Sequence, residues 1–496
     1  MAISILHLNE RTSKAAPISE RILYHLSLDR SFSHICADVK KRNRFLSVIS
    51  DLTDDKNEIL YRQEILKDFE NNPDLLDQFL SLSARFEELR VSQKDAGKEE
   101  YRLNATGTAS SAASKNILGA QALCLKRALL FVKAYGELLA KFDLKSDGLI
   151  NLFTACRELY ENSEFSKLIT FCSKYENFSV SGYWDYKFTL NDEGGIEEYA
   201  LIDHRYIHVT DPDIKKKGFS FFKKAEEAND PCVRVNPSKD GFFESLAISS
   251  FSDLTKLFSS ISEQIFSRFC AIGQELVFYD VALKYIKALH EKSIPLCYPI
   301  FTTYKSITVK NLYDLYLLMS KPNPLDVIPN DFKLGEGNGG LLVFGNNGSG
   351  KTVYLRSIGT MQLLAQAGLP IPCECAEMTL FSQLATQFSE AEKEFHEGND
   401  VGRFEQEVCE LAVMVDSLKE GSLVFLNETF QSTAYAEGAE GLYHLLKHFS
   451  ALNIRWILVS HLRQIEEMFN DDEAVMMHLA EGYKIKGLQE FQPTVD

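Results

Sequence analysis

The chain has 496 residues, 53 of them basic and 70 acidic, for a formal net charge of −17. That length gives room for two to four domains with a sizeable core. The acidic balance argues against a nucleic-acid binder coated in basic residues, though it leaves room for a local basic path. No run of about 18 consecutive apolar residues occurs, so no helical membrane span is expected. The N-terminal MAISILHLNERTSK has no basic leader of the kind a signal peptide carries. The ten cysteines are scattered. Their only close pair, Cys373-Glu374-Cys375, has a spacing that suits neither zinc nor a disulfide, so the thiols read as reduced and mostly buried and the location as cytoplasmic.

Residues 1–115 read mostly helical. Phe45, Val48, Ile49 and Leu52 share one helical face, and Ile59 to Phe69 repeats the pattern. Asn104 to Ser114 is small and polar and reads as a loop. Leu118 to Phe142 is a strongly apolar helix, and Leu149 to Tyr175 supplies further helix. The texture then changes. Trp184, Tyr186, Phe188 and Leu190 recur at every second residue, a strand period, and Tyr206 to Val209 is a second β-prone run. Asn191 to Gly195 is a turn signal between them. The clearest basic cluster of the chain follows: Lys215, Lys216, Lys217, Lys223 and Lys224, interleaved with Phe219, Phe221 and Phe222 and partly offset by Glu226 and Glu227.

From Ser238 to Ile294 there is no proline, and Leu254, Leu257, Ile261, Ile265, Phe269, Ile272, Leu276, Tyr279, Leu283 and Ile286 recur at spacings of three and four. This predicts one long helix over Asp253 to His290, roughly 57 Å at 1.5 Å per residue. Pro295, Pro299, Pro322, Pro324 and Pro329 and then the glycine-rich Gly335 to Gly340 predict a domain junction followed by a tight hairpin.

Gly345-Asn346-Asn347-Gly348-Ser349-Gly350-Lys351-Thr352 fits G-x-x-x-x-G-K-[ST], the phosphate-binding loop. Leu341 to Phe344 before it reads as a buried strand. Lys351 to Gln366 after it reads as a helix that Gly368 stops. In such a loop the glycines let backbone N–H groups turn toward phosphate oxygens, and the helix N-terminus adds positive potential. Lys351 is expected to reach the β- and γ-phosphates of ATP and Thr352 to ligate Mg²⁺. Ser422 to Leu426 reads as a second buried strand, ending in Asn427-Glu428. Ile454 to Val459 reads as a third, ending in Ser460-His461. Glu428 stands where a general base belongs, Asn427 beside the metal, and His461 within reach of a γ-phosphate. Tyr483 to Lys486 is a plausible last strand.

These residues resemble the MutS-type DNA mismatch repair ATPases, a branch of the ABC-type ATPases. Gly345-Asn346-Asn347 with Gly350-Lys351-Thr352 is similar to the family's GPNxxGKS/T, with Asn346 in place of Pro. Tyr354-Leu355-Arg356, Leu363 to Pro372, and Asn427-Glu428 with Ser432 to Gly438 resemble its following motifs, and Ser460-His461 resembles its T-H switch. Gly402-Arg403-Phe404-Glu405-Gln406-Glu407 falls where the family has S-T-F-x-x-E. Tyr61 to Asp68 and Val327 to Asp331 resemble the family's helical core and its entry into the ATPase. Asn427 replaces the Asp associated with Mg²⁺, Gly402 replaces the signature Ser that reaches a partner's γ-phosphate, and Phe430-Gln431 replaces Gly-Arg. The departures point to slow hydrolysis with nucleotide binding kept.

The resemblance implies a multi-domain protein. A C-terminal α/β ABC-type P-loop ATPase domain is preceded by an all-α core and lever region with a small β-containing clamp insertion. The expected boundaries are 1–177 for the helical core, 178–245 for the clamp-like insertion, 246–325 for the long lever helix and junction, and 326–496 for the ATPase. It implies a short member without the mismatch-recognition and connector domains. Phe242-Phe243-Glu244 fits the Phe-x-Glu mismatch-reading pattern but lies on the return from clamp to lever, so mismatch reading is not expected. The implied function is ATP-driven closure of a homodimeric clamp on DNA, with RNA or a nucleoprotein as alternatives. The basic cluster would touch the nucleic acid, and Gly402, Arg403 and Glu407 would make the dimer contact. A hydrolysis-poor, nucleotide-gated scaffold for a protein or nucleoprotein partner is the competing reading.

Overall fold

The computed structural model describes residues 4–8, 13–105, 117–176, 183–190, 196–205, 232–235, 251–337, 339–346, 348–388, 403–430, 434–469 and 474–478. The chain divides into two compact units, one of residues 1–76, 144–149 and 274–496, the other of residues 77–143 and 150–273.

The first unit opens with helices α1 (Glu20–His25), α2 (Leu28–Ser33), α3 (Val39–Ser50) and α4 (Lys56–Asn71). Ser19, Asp38 and Asp55 start α1, α3 and α4 by accepting hydrogen bonds from first-turn amides. Ser4 to Leu6 runs beside them as a buried strap. Tyr61 Oη donates to Ser4 O, Arg62 Nε donates to Leu6 O, and Glu275 Oε2 accepts from the Ile5 amide at 2.7 Å.

In chain order come α5 (Pro73–Ala105), α6 (Ile117–Leu139), α7 (Asp147–Glu161) and α8 (Ser163–Tyr175). Helix α5 includes Asn104 and Ala105, and the rest of the expected Asn104 to Ser114 loop lies outside the described residues. The core of the second unit joins Leu118, Ala122, Leu125 and Leu129 of α6 to Phe165, Cys172, Phe251 and Phe258. Its strands β1 (Tyr183–Leu190), β2 (Ile196–Arg205) and β3 (Cys232–Val235) form an antiparallel sheet in the order β2-β1-β3. The alternating Trp184, Tyr186, Phe188 and Leu190 fall within β1. The expected turn at 191–195, the β-prone run at 206–209, the five lysines and Phe242 to Glu244 lie outside the described residues.

Helix α9 (Ser252–Glu291) is continuous over 40 residues, about 60 Å long. The sequence predicts one apolar stripe along it, and the burial is less regular. Leu257 of the stripe is exposed. Toward the C-terminal half Phe278, Val281, Ala282, Tyr285 and Leu289 are buried as well as Leu276, Tyr279 and Ile286. A helix apolar over most of its circumference is a core helix there.

The remainder of the first unit holds β4 (Ile300–Phe301), β5 (Ile307–Leu312), α10 (Leu315–Ser320), β6 (Asn330–Leu334), β7 (Gly340–Phe344), α11 (Lys351–Gln366), β8 (Cys375–Met378) and β9 (Gln383–Phe388). It continues with α12 (Arg403–Ser417), β10 (Ser422–Asn427), α13 (Tyr435–Ala451), β11 (Arg455–Val459), α14 (Gln464–Met468) and β12 (Ala474–His478). One sheet has the order β12-β7-β11-β10-β9 and is parallel throughout. Every residue of β7, β10 and β11 is buried, which is why these strands read as unbroken apolar runs rather than alternations. A second sheet has the order β4-β8-β5-β6.

The expected hairpin at Gly335 to Gly340 is not formed. Strand β6 pairs with β5, whereas β7 pairs with β11 and β12, so the glycine-rich stretch carries the chain from one sheet to the other. The crossing is fastened by Arg455, whose guanidinium donates to Gly335 O, Glu336 O and Lys305 O at 3.1, 2.6 and 2.9 Å. Gly340 is required where β7 begins. A Cβ there would lie 2.1 Å from the Trp456 ring and 2.3 Å from its carbonyl oxygen. Gly340→Ala should therefore lower unfolding stability by about 3 kcal/mol or more, measured as a shift of the urea midpoint at unchanged slope.

Candidate active site

Strands β7, β11, β10 and β9 run parallel, so their carboxyl ends lie along one edge of the sheet. Asn427 at the end of β10 lies opposite Val459 on one side and Phe388 on the other. Ligands in open parallel sheets bind outside this edge. The loop after β7 turns at glycine, with φ of 78° at Gly348 and 94° at Gly350, a left-handed conformation that a side chain disfavours. Gly350 is the N-cap of α11 and caps it with no side chain. The first amides of α11 are thereby left for an external acceptor.

Two side chains in the loop suit a phosphate. Among the described residues the buried Ser349 hydroxyl has no hydrogen-bond partner. Lys351 is also buried, and its Nζ donates to Gly345 O at 2.8 Å and Asn346 O at 3.1 Å. Burial holds its pKa below the usual lysine range, and the Glu428 carboxylate pulls it the other way. An ammonium held by two neutral carbonyls of its own loop would gain from an anionic partner. Asn347 lies outside the described residues.

Strands β10 and β11 bring the other groups. Thr352 Oγ1 donates to Asn427 Oδ1 at 3.2 Å. A hydroxyl and an amide oxygen side by side beside the loop could hold Mg²⁺ as neutral ligands. Glu428 follows Asn427 with φ of 59°, and its amide donates to Val459 O at 2.9 Å. Its carboxylate lies 3.0 Å from His461 Nε2, and both side chains are about 30% exposed (29% and 30%), open to a water molecule. Thus Lys351, Thr352, Asn427, Glu428 and His461 converge from three strand ends.

Helix α11 is anchored behind the loop. Arg356 makes a two-pronged pair with Asp314, Nε to Oδ2 at 2.9 Å and Nη2 to Oδ1 at 2.7 Å, and its guanidinium lies over the Tyr316 ring. Asp314 also caps α10 by accepting from the Leu317 amide.

The signature-like residues are not brought to this cluster among the described residues. Gly402 lies outside them, Arg403 begins α12, and Glu407 lies one turn further along that helix. Phe404 packs on Phe430 with ring centroids 5.6 Å apart. Sequence reading missed strand β9 and with it a buried contact at the site: Thr429 Oγ1 donates to Gln387 Oε1 at 2.5 Å. Thr429 stands directly after the acid at a position the motif leaves open and Gln387 lies in no motif, and no sequence signal links positions that only sheet register brings together.

A parallel α/β sheet with this strand–loop–helix unit and an acid on a neighbouring strand is the P-loop ATPase type of domain. Residues 341–489 match the family model of MutS domain V. The relatives include an "Endonuclease MutS2" of Alkaliphilus oremlandii, 27% identical over 178 residues, covering 36% of this chain and 22% of that protein. They also include a "DNA mismatch repair protein MutS" of Lactobacillus delbrueckii subsp. bulgaricus, 25% identical over 209 residues, covering 42% of this chain and 23% of that protein. A protein of the same description from a Synechococcus strain is 30% identical over 141 residues, covering 28% and 15%. The chain spans less than a quarter of the length of these relatives. The C-terminal α/β domain is thus a MutS-type domain V, and the similarity to these relatives is carried by it.

Lys351→Ala removes the one ammonium in the loop. It should weaken ATP binding by about 100-fold or more, read by equilibrium binding of a fluorescent ATP analogue. Unchanged affinity would mean that nucleotide binds elsewhere.

Proposed function

We propose that this protein is a MutS-like ATPase that binds and slowly hydrolyses ATP to close a dimeric clamp on DNA or another nucleic acid, without reading mismatches. The observation that carries the reading is the convergence of Lys351, Thr352, Asn427, Glu428 and His461 at the carboxyl edge of β7, β10 and β11. The relatives' names support it, as they describe mismatch repair proteins and an endonuclease.

Catalysis of phosphoryl transfer is positioning plus charge stabilisation. The amides of Gly345 to Thr352 and the Lys351 ammonium bind and orient the phosphates. Thr352 and Asn427 are the residues that would hold Mg²⁺, which when bound supplies charge neutralisation at the phosphates. Glu428 accepts the proton of the attacking water. His461, in contact with the Glu428 carboxylate, senses the γ-phosphate. Arg403, Glu407 and the Gly402 segment form the contact with the nucleotide of a second copy. Lys215, Lys216, Lys217, Lys223 and Lys224 contact the nucleic-acid backbone. In this reading the helical region is the core, α9 the lever and β1 to β3 part of the clamp, within the boundaries 1–177, 178–245, 246–325 and 326–496. The protein acts in the cytoplasm; no helix among the described residues is long and apolar enough to cross a membrane.

The second reading is a nucleotide-gated scaffold that scarcely hydrolyses ATP. Asn427 favours it, because the metal side of the site then lacks a carboxylate. Turnover with and without single-stranded, duplex and branched DNA and structured RNA separates the two. Glu428→Gln should block turnover and shift monomer to dimer with ATP, seen by sedimentation. The same mass with and without ATP would sink the clamp reading.

Asn427 gives a second test. Asp in its place adds a full charge and removes an N–H₂ that cannot face a metal. Asn427→Asp should lower the Mg²⁺ midpoint and raise turnover by about 10- to 100-fold, equivalent to about 1.4–2.7 kcal/mol of barrier. A midpoint and rate no better than those of the unaltered protein would show that Asn427 does not limit this site.

A further inference from the structure

The general base proposed above stands on an unusual piece of backbone. Glu428 and Phe430 both have left-handed φ, 59° and 63°, and neither is glycine. Such conformations persist where the surroundings over-determine them. Three contacts do so here. The Glu428 amide is tied to Val459 O. The Phe430 ring rests on Phe404. Between them Thr429, fully buried, donates its hydroxyl to Gln387 Oε1, and Gln387 is itself 4% exposed.

Gln387 is well placed to act as an anchor. It lies one residue before the end of β9 and pairs with Leu426 of β10. Its two neighbours are fixed by a different element. His25 of α1 places Nδ1 2.8 Å from Thr386 Oγ1 and stacks on the Phe388 ring at 4.6 Å and 1°. The end of β9 is thus held between β10 and α1, and Gln387 presents its carbonyl oxygen to the turn after β10.

We propose that Gln387, through its hydrogen bond to Thr429, is a positioning residue that sets the left-handed turn at Glu428 and so aims the Glu428 carboxylate at His461 and the attacking water. The bond crosses from β9 to the turn after β10, next to the Glu428 carboxylate. A valine at 429 matches threonine in volume and loses only the hydroxyl, leaving the Gln387 oxygen without its donor. The turn can then relax toward right-handed φ, which re-aims the next side chain. Nucleotide binding rests on the loop and Lys351 and is untouched by this change.

The role in turnover rests on the ATPase reading, so the test has a readout that does not need hydrolysis. The variants are Thr429→Val, Thr429→Ser and Gln387→Leu in the full chain. The readouts are the single-turnover rate at saturating ATP, the ATP Kd, and the His461 imidazole resonance, assigned by His461→Gln. Thr429→Val and Gln387→Leu should each slow turnover about tenfold or more with the ATP Kd within about twofold. Both should move the His461 resonance in the direction that Glu428→Gln moves it. Thr429→Ser, which keeps the hydroxyl, should restore rate and resonance. The proposal is overturned if Thr429→Val and Gln387→Leu leave the His461 resonance where it is, or if Thr429→Ser fails to restore it. If Thr429→Val does not fold, the resonance in Gln387→Leu decides alone. If the unaltered protein binds ATP and does not turn it over, the hydrolysis reading fails, and the resonance decides the positioning role by itself.

Discussion

Parallel pairing of β7, β11, β10 and β9 is the constraint on which the rest of the C-terminal domain depends. Parallel strands cannot be joined by short turns, so each must leave the sheet, cross over and return. That leaves the carboxyl ends together along one edge, with the loop, Asn427-Glu428, Ser460-His461 and Gln387 as neighbours although they lie up to 116 positions apart, from 345 to 461. Both faces must be covered, which forces the stretches 341–344, 423–426 and 456–459 of β7, β10 and β11 to be apolar. Helix α11 meets that demand in its own composition: all but Thr352, Val353 and Arg356 of its residues are buried. The buried Gln366 amide of this helix is matched, its Nε2 donating to Thr53 O and Phe381 O.

The same edge explains the electrostatics of the site. Lys351 is desolvated and bonded to carbonyls of its own loop, and the Glu428 carboxylate, which acts on it, is engaged with His461. The Thr352 hydroxyl is engaged with Asn427. Lys351, Thr352, Asn427, Glu428 and His461 therefore each have a neutral or opposite partner in the protein itself. Exchange of these partners for phosphate and metal keeps the charges compensated, which fits a site whose nucleotide comes and goes. The two-pronged Arg356–Asp314 pair has a different task. It holds α11 against α10 behind the loop, a buried contact whose geometry Lys could not reproduce.

Much of this was legible in the chain itself. Glycine spacing, Lys351 and Thr352 between an apolar strand and a helix can only be arranged as β7–loop–α11, because the turn needs positive φ and the helix start needs free amides. The long proline-free stripe led to α9, and the alternation at Trp184 to Leu190 led to β1. In both cases the period of the apolar residues marks the type of local element, and local elements follow from local sequence.

Partners distant in sequence are another matter. The glycine-rich stretch before β7 looks like a hairpin because its residues favour turns. It crosses between sheets because β7 finds its hydrogen bonds with β11 and β12, and because Trp456 leaves no space for a side chain at Gly340. The widened burial at the C-terminal half of α9 depends on Phe32, Phe45 and Phe69, whose rings meet Tyr285, Phe278 and Tyr279. Strand β9 and the Gln387–Thr429 bond carry no motif, since a hydrogen bond across a sheet is set by register and not by any residue's neighbours in the chain. The glycine loop, the acid after β10 and the strands that bear them could be read from the chain, because glycine freedom and apolar period act over a few residues. The tertiary structure alone decided which strand ends stand side by side, because that choice belongs to crossover connections and to the packing that closes over them.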